Sequence, residues 1–388
     1  MNVLVAIDSW KGCLASREAN EAARRGVLAR WPDAEVRCLE VSDGGEGFLE
    51  AVASHLPASQ EGETDWQRVT VGVSDPLMRP IKADYLYKVK GMGRQIPAPH
   101  GGVGGGYAVI EMAQASGLTL LKPEERNPLV ASSYGTGQLI ADAVRRGARE
   151  IVVGLGGSAT SDCGRGMLQA LEDELADRDL RHGWQGGGVE ALRESVCFTI
   201  ATDVTNPLLG SEGAAYVFAP QKGATAQMLP ELEARAQAFA SASASLCGFD
   251  RSGEPGAGAA GGVGYALMQF FAARRVSGID FLFDLARFKD LLAHADLVVT
   301  GEGRADRQTL MGKVPMGILR RARARGIPTW LVAGQVVDAE RLQEAGFARV
   351  MCITPPAMPL SEAMNPRVAK NNLANCLVES LEIINFEQ

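Results

Sequence analysis

Short apolar runs ending in glycine and acidic residues alternate with helical periodicity at both ends of the chain. Val3-Leu-Val-Ala-Ile7 predicts a buried parallel strand. Ala19, Ala23, Val27 and Trp31 then recur at four-residue spacing, which predicts a helix over 16–30 that Pro32 ends. Glu35 to Val41 predict a second strand and Val69 to Val73 a third. From Asp296 the alternation returns with a strand at 297–300, a helix at 313–325, a strand at 328–333, a helix at 338–345 and a strand at 348–353. A last helix carries Leu373, Cys376, Leu377 and Leu381 on one face.

Between these ends the pattern changes. Residues 81–89 alternate like an antiparallel strand, and 91–106 read as a glycine-rich loop. Short strands are expected at 108–110, 151–153 and 198–202, with a long alanine-rich helix at 226–247. Gly256 to Gly264 read as a flexible or ligand-hugging loop. Neither end alone completes a doubly wound sheet, whereas three strands from each would. The expectation is therefore one discontinuous α/β domain, doubly wound around a parallel sheet, from 1–76 and 291–388. A second α/β domain would be inserted over 77–290. A chain of 388 residues is long for a single core, which fits this division.

Composition narrows the function. A net charge of −7 argues against a nucleic-acid partner, which needs a basic stripe. The seven cysteines include no Cys-x-x-Cys and the four histidines are far apart, so neither a zinc site nor a disulfide framework is expected. The run at 3–7 is too short for a signal core, and no run approaches a membrane span. A cytoplasmic protein with no membrane partner is the expectation.

The chemistry concentrates where predicted strands end. Leu297-Val-Val299 runs into Gly301-Glu302-Gly303, and Arg304, Asp306, Arg307 and Lys313 follow. Carboxylates for a metal and cations for an anion, set on glycine turns, suit phosphate handling. Asp8, Asp43 with Glu46, Asp203 and Glu302 all sit at predicted strand ends, where an open α/β sheet collects ligands. Each alone reads as readily as a cap or turn residue, but their repetition along one edge is harder to dismiss. Gly154-Leu-Gly-Gly-Ser-Ala159 breaks the dinucleotide spacing at Ala159, and the chain holds no P-loop. Backbone N–H groups at a helix start there, with the Ser158, Thr160 and Ser161 hydroxyls, suit an anion or plain N-capping equally.

Ordered segments then carry a resemblance across essentially the whole chain. They include Asp8-Ser-Trp-Lys-Gly12, Asp43-Gly-Gly-Glu-Gly47, Tyr134-Gly-Thr-Gly137, Gly156-Gly-Ser-Ala-Thr160 and Asp203-Val-Thr-Asn-Pro-Leu208. They continue with Phe218-Ala-Pro-Gln-Lys-Gly-Ala224, Thr300-Gly-Glu-Gly-Arg304 and Gly312-Lys-Val-Pro315. The chain resembles the type I glycerate kinases. Ile7, Trp10, Ser161, Cys163 and Thr202 depart from that family's pattern, and the segment 172–190 looks shortened. The resemblance implies a flavodoxin-like domain with a different α/β domain inserted. It implies transfer of the γ-phosphoryl group of ATP, with Mg²⁺, to a hydroxyl of D-glycerate, usually giving 2-phosphoglycerate.

For that reaction Asp203 is the expected base for the attacking hydroxyl, with Asn206 orienting it. Asp43, Glu302 and Asp306 are the expected Mg²⁺ ligands. Lys11, Arg304 and Lys313 would hold the phosphates and the glycerate carboxylate. Asp8, Ser9, Gly157, Ser158, Thr160, Asp162 and Gly301 complete the expected substrate and phosphate contacts. A homodimer is compatible with the sequence. The competing readings are a kinase of a related hydroxy acid, phosphorylation giving 3-phosphoglycerate, a small-anion binding protein without catalysis, and a Rossmann-type oxidoreductase.

Overall fold

A computed structural model describes residues 1–56, 66–89, 105–176, 188–311 and 313–382. Its strands are β1 (Asn2–Ile7), β2 (Glu35–Cys38), β3 (Trp66–Ser74), β4 (Pro80–Lys88), β5 (Gly106–Glu111) and β6 (Ala148–Gly154). They continue with β7 (Cys197–Ala201), β8 (Arg274–Val276), β9 (Leu297–Ala305), β10 (Thr329–Val336) and β11 (Arg349–Cys352). The chain forms two compact units. One comprises Met1–Asp43, Glu50–His55 and Ile279–Gln388; the other comprises Gly44–Leu49 and Leu56–Gly278. Most of the expected glycine-rich loop, 91–104, lies outside the described residues, as do 177–187 and Gly312. Among the described residues no helix is long and apolar enough to cross a membrane.

The first unit holds a five-stranded parallel sheet in the order β11-β10-β9-β1-β2. Counted within this unit, that is the flavodoxin-like order 2-1-3-4-5. Both faces are covered at its centre, so β1 and the first halves of β9 and β10 are continuous buried runs, whereas the edge strands β2 and β11 are more polar and exposed. Val3, Val5, Ile7, Leu297 and Val299 pack toward the helices Ser16–Arg30 and Pro366–Glu382. Leu4, Ala6 and Val298, one residue out of phase, pack toward Phe283, Phe288 and Ile318. Gly26 lets the two helices of the first face meet, since a Cβ there would lie 2.4 Å from the Ala374 carbonyl oxygen.

The second unit holds a six-stranded sheet, β3-β4-β5-β6-β7-β8. The first two pairings are antiparallel and the other three parallel. Here one expectation is corrected: the strand at 69–73 does not join the parallel sheet of the chain ends. It pairs with β4 from Trp66↔Lys88 to Ser74↔Pro80. The reason is local. Asp75 caps the turn, its carboxylate accepting the Leu77 and Arg79 N–H groups at 2.8 and 2.9 Å. A hairpin closes over such a turn, whereas a parallel partner needs a long crossover. Helices Tyr134–Arg145, Arg165–Leu175 and Val263–Phe271 enclose this unit's core, around Leu139, Met167 and Phe271.

Gly256–Gly264, expected as a flexible or ligand-hugging loop, is buried. A Cβ on Gly258 would lie 2.3 Å from the Pro207 carbonyl oxygen, and one on Gly261 would lie 2.0 Å from that of Thr160. These glycines serve backbone-to-backbone packing.

Candidate active site

In the parallel-sheet unit, the sequence order reverses between β1 and β9. A doubly wound sheet opens a crevice at such a point. Ile7 pairs with Gly301 there, and the Asp8 N–H donates to the Gly301 carbonyl at 2.9 Å. A cleft of about 670 Å³ lies beyond these strand ends. Asp8, Ser9, Lys11, Asp43, Glu302, Arg304 and Lys313 all line it. Residues distant in sequence are thus brought together, Asp203 not among them.

A buried network sets the two loops from which Asp8 and Asp43 project. Asn20 accepts the Ile7 N–H at 2.9 Å and donates to the Leu39 carbonyl at 2.9 Å. Ser16 donates to the Ile7 carbonyl at 2.6 Å and accepts the Val41 N–H at 3.1 Å. The first turn of helix Ser16–Arg30 thereby ties the exit of β1 to the segment after β2.

The acidic groups are electrostatically crowded. Desolvation holds the Asp8 carboxyl well above its ordinary value, and the Asp43 and Glu302 carboxylates add to the shift. The Ser9 N–H, donating to Asp8 at 2.8 Å, and Lys11 oppose it. Burial likewise pushes the Glu302 carboxyl up, against Lys313 and the Thr309 hydroxyl. Glu302 accepts from Thr309 at 2.6 Å and from Lys313 at 3.1 Å.

Three features of the glycine-acid stretch differ from expectation. The strand does not stop at Gly301; β9 runs on to Ala305, with Arg304 opposite Gln335 on β10. Gly301 is a packing position rather than a turn, because a Cβ there would lie 2.2 Å from the Val332 carbonyl oxygen. Asp306 accepts from Arg304 at 3.1 Å and from the Gln308 N–H at 2.8 Å, within a turn outside the cleft lining.

The second unit carries the other expected residues. Gly157 adopts a φ of +69°, which suits its lack of a side chain. Ser158 and Thr160 are buried, and the fully buried Lys222 donates to the Ser158 hydroxyl at 2.8 Å and to the Thr160 carbonyl at 2.6 Å. Burial depresses the Lys222 ammonium to about 7, although Asp162 pulls it upward. Asp162 takes up the helix-start donors that could have served an anion. Its carboxylate accepts the Ser133, Gly164 and Gly166 N–H groups and the Ser133 hydroxyl, all within 3.1 Å. Asp162 thus satisfies donors at the start of helix Arg165–Leu175, whose N-cap residue, Gly164, makes no side-chain cap of its own. Asp203 follows β7, and Asn206 donates to the Glu212 carbonyl at 2.8 Å.

Sequence reasoning quoted Lys222 within the segment Phe218–Ala224 without assigning it a role, because a single lysine there carries no sign of its burial. It also missed the cleft wall at 354–364, which carries few charges.

The glycerate kinase family model matches residues 3–384. The chain belongs to the glycerate kinase family. A "Glycerate kinase" of Bacillus subtilis (strain 168) is 37% identical over 376 residues, covering 94% of this chain and 93% of that protein. A "Glycerate 2-kinase" of Escherichia coli (strain K12) is 37% identical over 351 residues, covering 87% of this chain and 86% of that one. A crystal structure from Salmonella typhimurium LT2, described as a candidate glycerate kinase 2, superposes with a TM-score of 0.70 at 35% identity, covering 98% and 97% of the two chains.

A kinase of this family uses ATP, and its donor set can be tested against Mg²⁺. Among the described residues no three acidic, histidine or cysteine side chains form a ready-made metal cage. Mg²⁺ ordinarily needs only one or two carboxylates beside phosphate oxygens and water. Asp8 and Asp43, which line the same cleft, are two such carboxylates; burial is the main reason the Asp8 carboxyl is raised, and the Asp43 charge adds to it.

Proposed function

We propose that this chain transfers the γ-phosphoryl group of ATP, with Mg²⁺, to the 2-hydroxyl of D-glycerate, giving 2-phosphoglycerate. The observation that carries this reading is one cleft at the β1/β9 crossing lined by Asp8, Asp43 and Glu302 together with Lys11, Arg304 and Lys313. Phosphoryl transfer needs opposed charges held in position more than it needs covalent chemistry. Carboxylates beside cations have no use in a simple anion binder, which argues against the non-catalytic reading. The name of the Escherichia coli relative supports the 2-hydroxyl as acceptor.

Asp8 and Asp43 would hold the metal, with Glu302 nearby through water. When bound, Mg²⁺ neutralises charge on the transferring phosphate. Glu302 fixes Lys313 in the cleft through their 3.1 Å contact. Lys313, Lys11 and the Arg304 fork are the cations for phosphate and carboxylate oxygens. Asp306 steadies Arg304. Asp203 takes the proton of the attacking hydroxyl, and the Gly157–Ser158 loop, stiffened by Lys222, offers donors to the substrate.

Incubation with ATP, Mg²⁺ and D-glycerate, followed by phosphorus NMR, tests the reading. One ADP and one 2-phosphoglycerate per turnover are expected. ADP formed without a phosphoglycerate, or 3-phosphoglycerate as the product, would overturn it.

A further inference from the structure

The cleft has two chemically different ends. One carries the carboxylates and cations just described. The other is the segment following β11, where Pro355, Pro356, Met358, Leu360 and Met364 present an apolar wall. Leu360 is 76% exposed and Met364 39%, which is unusual for large apolar side chains grouped beside a charged site. The volume, about 670 Å³, is that of a drug-sized ligand, and a three-carbon acid would fill little of it.

Between the two ends lies bare backbone, at Gly303 and Gly334. Gly334 is required by packing, since a Cβ there would lie 2.8 Å from the Gly303 carbonyl oxygen. Gly303 is not. Its φ lies outside the left-handed region, and a Cβ there would meet only Trp10, at ordinary contact distances of 3.5 Å and beyond. The fold would accept alanine at 303, and the side chain would then line the cleft.

We propose that the Pro355–Met364 wall takes the purine ring of ATP, and that the nucleotide runs over Gly303 to bring its phosphates to Lys11, Arg304 and Lys313. This rests on the ATP-dependent reading above. The volume of the cleft and the change in its lining from apolar to charged side chains suit such a ligand. An uncharged planar ring gains from apolar contact, and methionine side chains adapt to aromatic faces. A triphosphate needs the opposite end. The five exposed or half-exposed apolar side chains of the wall would be covered only when the ring is in place.

The test uses the full-length enzyme and three variants, Leu360→Asp, Met364→Ser and Gly303→Ala. The first two change exposed side chains, and thermal unfolding checks that all three fold. ADP binding is measured by calorimetry. Inorganic tripolyphosphate, which lacks a base, and adenosine, which lacks phosphate, are compared as inhibitors. The expectation for Leu360→Asp and Met364→Ser is ADP binding weakened by about threefold or more, adenosine inhibition weakened in parallel, and tripolyphosphate inhibition unchanged. Gly303→Ala should weaken ADP by a similar factor. ADP affinity within about threefold of wild type in both wall variants would overturn the subsite, as would equal loss of tripolyphosphate inhibition. Turnover of glycerate with ATP by the unaltered enzyme separates this failure from failure of the proposed reaction.

Discussion

The Lys313 ammonium lies 3.1 Å from one Glu302 carboxylate oxygen, and the other oxygen of that carboxylate accepts the Thr309 hydroxyl at 2.6 Å. The two partners are unequally buried. The Glu302 side chain is 8% exposed and that of Lys313 36%. Removing the lysine therefore strands a buried carboxylate, whereas removing the carboxylate frees a cation that water can still reach. Lys313→Met should cost about 1–3 kcal/mol of stability and more than about 100-fold in kcat/KM. Adding Glu302→Gln should recover most of the stability and none of the activity. Denaturant unfolding with steady-state kinetics on the full double-mutant cycle reads both. Recovery of activity along with stability would show that Lys313 acts only as a structural partner.

Asp203 is proposed as the base, and Asp203→Asn keeps the shape while removing proton acceptance. A fall in kcat of about 10²–10⁴-fold is expected, with the KM for ATP little changed. A kcat within about tenfold of wild type, equivalent to about 1.4 kcal/mol of barrier, would end that assignment.

Lys222 gives a pH dependence with a definite sign. Burial depresses its folded-state value to about 7 from the ordinary 10.5. Between those values the unfolded chain holds a proton that the folded chain has released, so stability rises with pH across the window. Below about 7 both states are charged and the buried ammonium is a constant cost. Lys222→Met should remove an upward slope of about 1.4 kcal/mol per pH unit between about pH 7.5 and about pH 9.5. Urea unfolding of both proteins across that range measures the difference. Parallel curves would mean that Lys222 remains charged in the folded protein.

Much of the parallel-sheet unit was legible because its central strands begin as apolar runs buried on both faces. Val3 to Ile7 could hardly be anything else. The pairing of β3 was not legible, because an apolar run does not carry its partner's identity; the Asp75 turn decided it. Gly301 shows a related limit. A glycine before an acid reads as a turn, yet here it lets β9 and β10 approach. Asp162 was legible only as a carboxylate at a glycine loop; that it accepts the Ser133, Gly164 and Gly166 N–H groups depends on where the fold places them. The charged members of the cleft were found because charge in a glycine turn stands out. Its apolar wall was not, since Met358, Leu360 and Met364 resemble any other hydrophobic residues until their exposure is known.

Asn20 links stability to the geometry of the cleft. It is 1% exposed, and its amide satisfies the Ile7 N–H and the Leu39 carbonyl, backbone groups on the segments that lead to Asp8 and Asp43. Asn20→Leu keeps the γ-branched outline and orphans both groups, at about 1–3 kcal/mol each. Leu373→Ala, in the core on the same face of the sheet, is a matched control costing about 2–5 kcal/mol. If the network only stabilises the fold, the two variants should lose equal activity per folded molecule at low temperature. We expect otherwise. Asn20→Leu should lower kcat/KM about tenfold or more while Leu373→Ala leaves it nearly unchanged, because releasing Ile7 and Leu39 lets the two carboxylates drift from their common cleft. Equal activities, with folded fractions verified by circular dichroism, would assign Asn20 to stability alone.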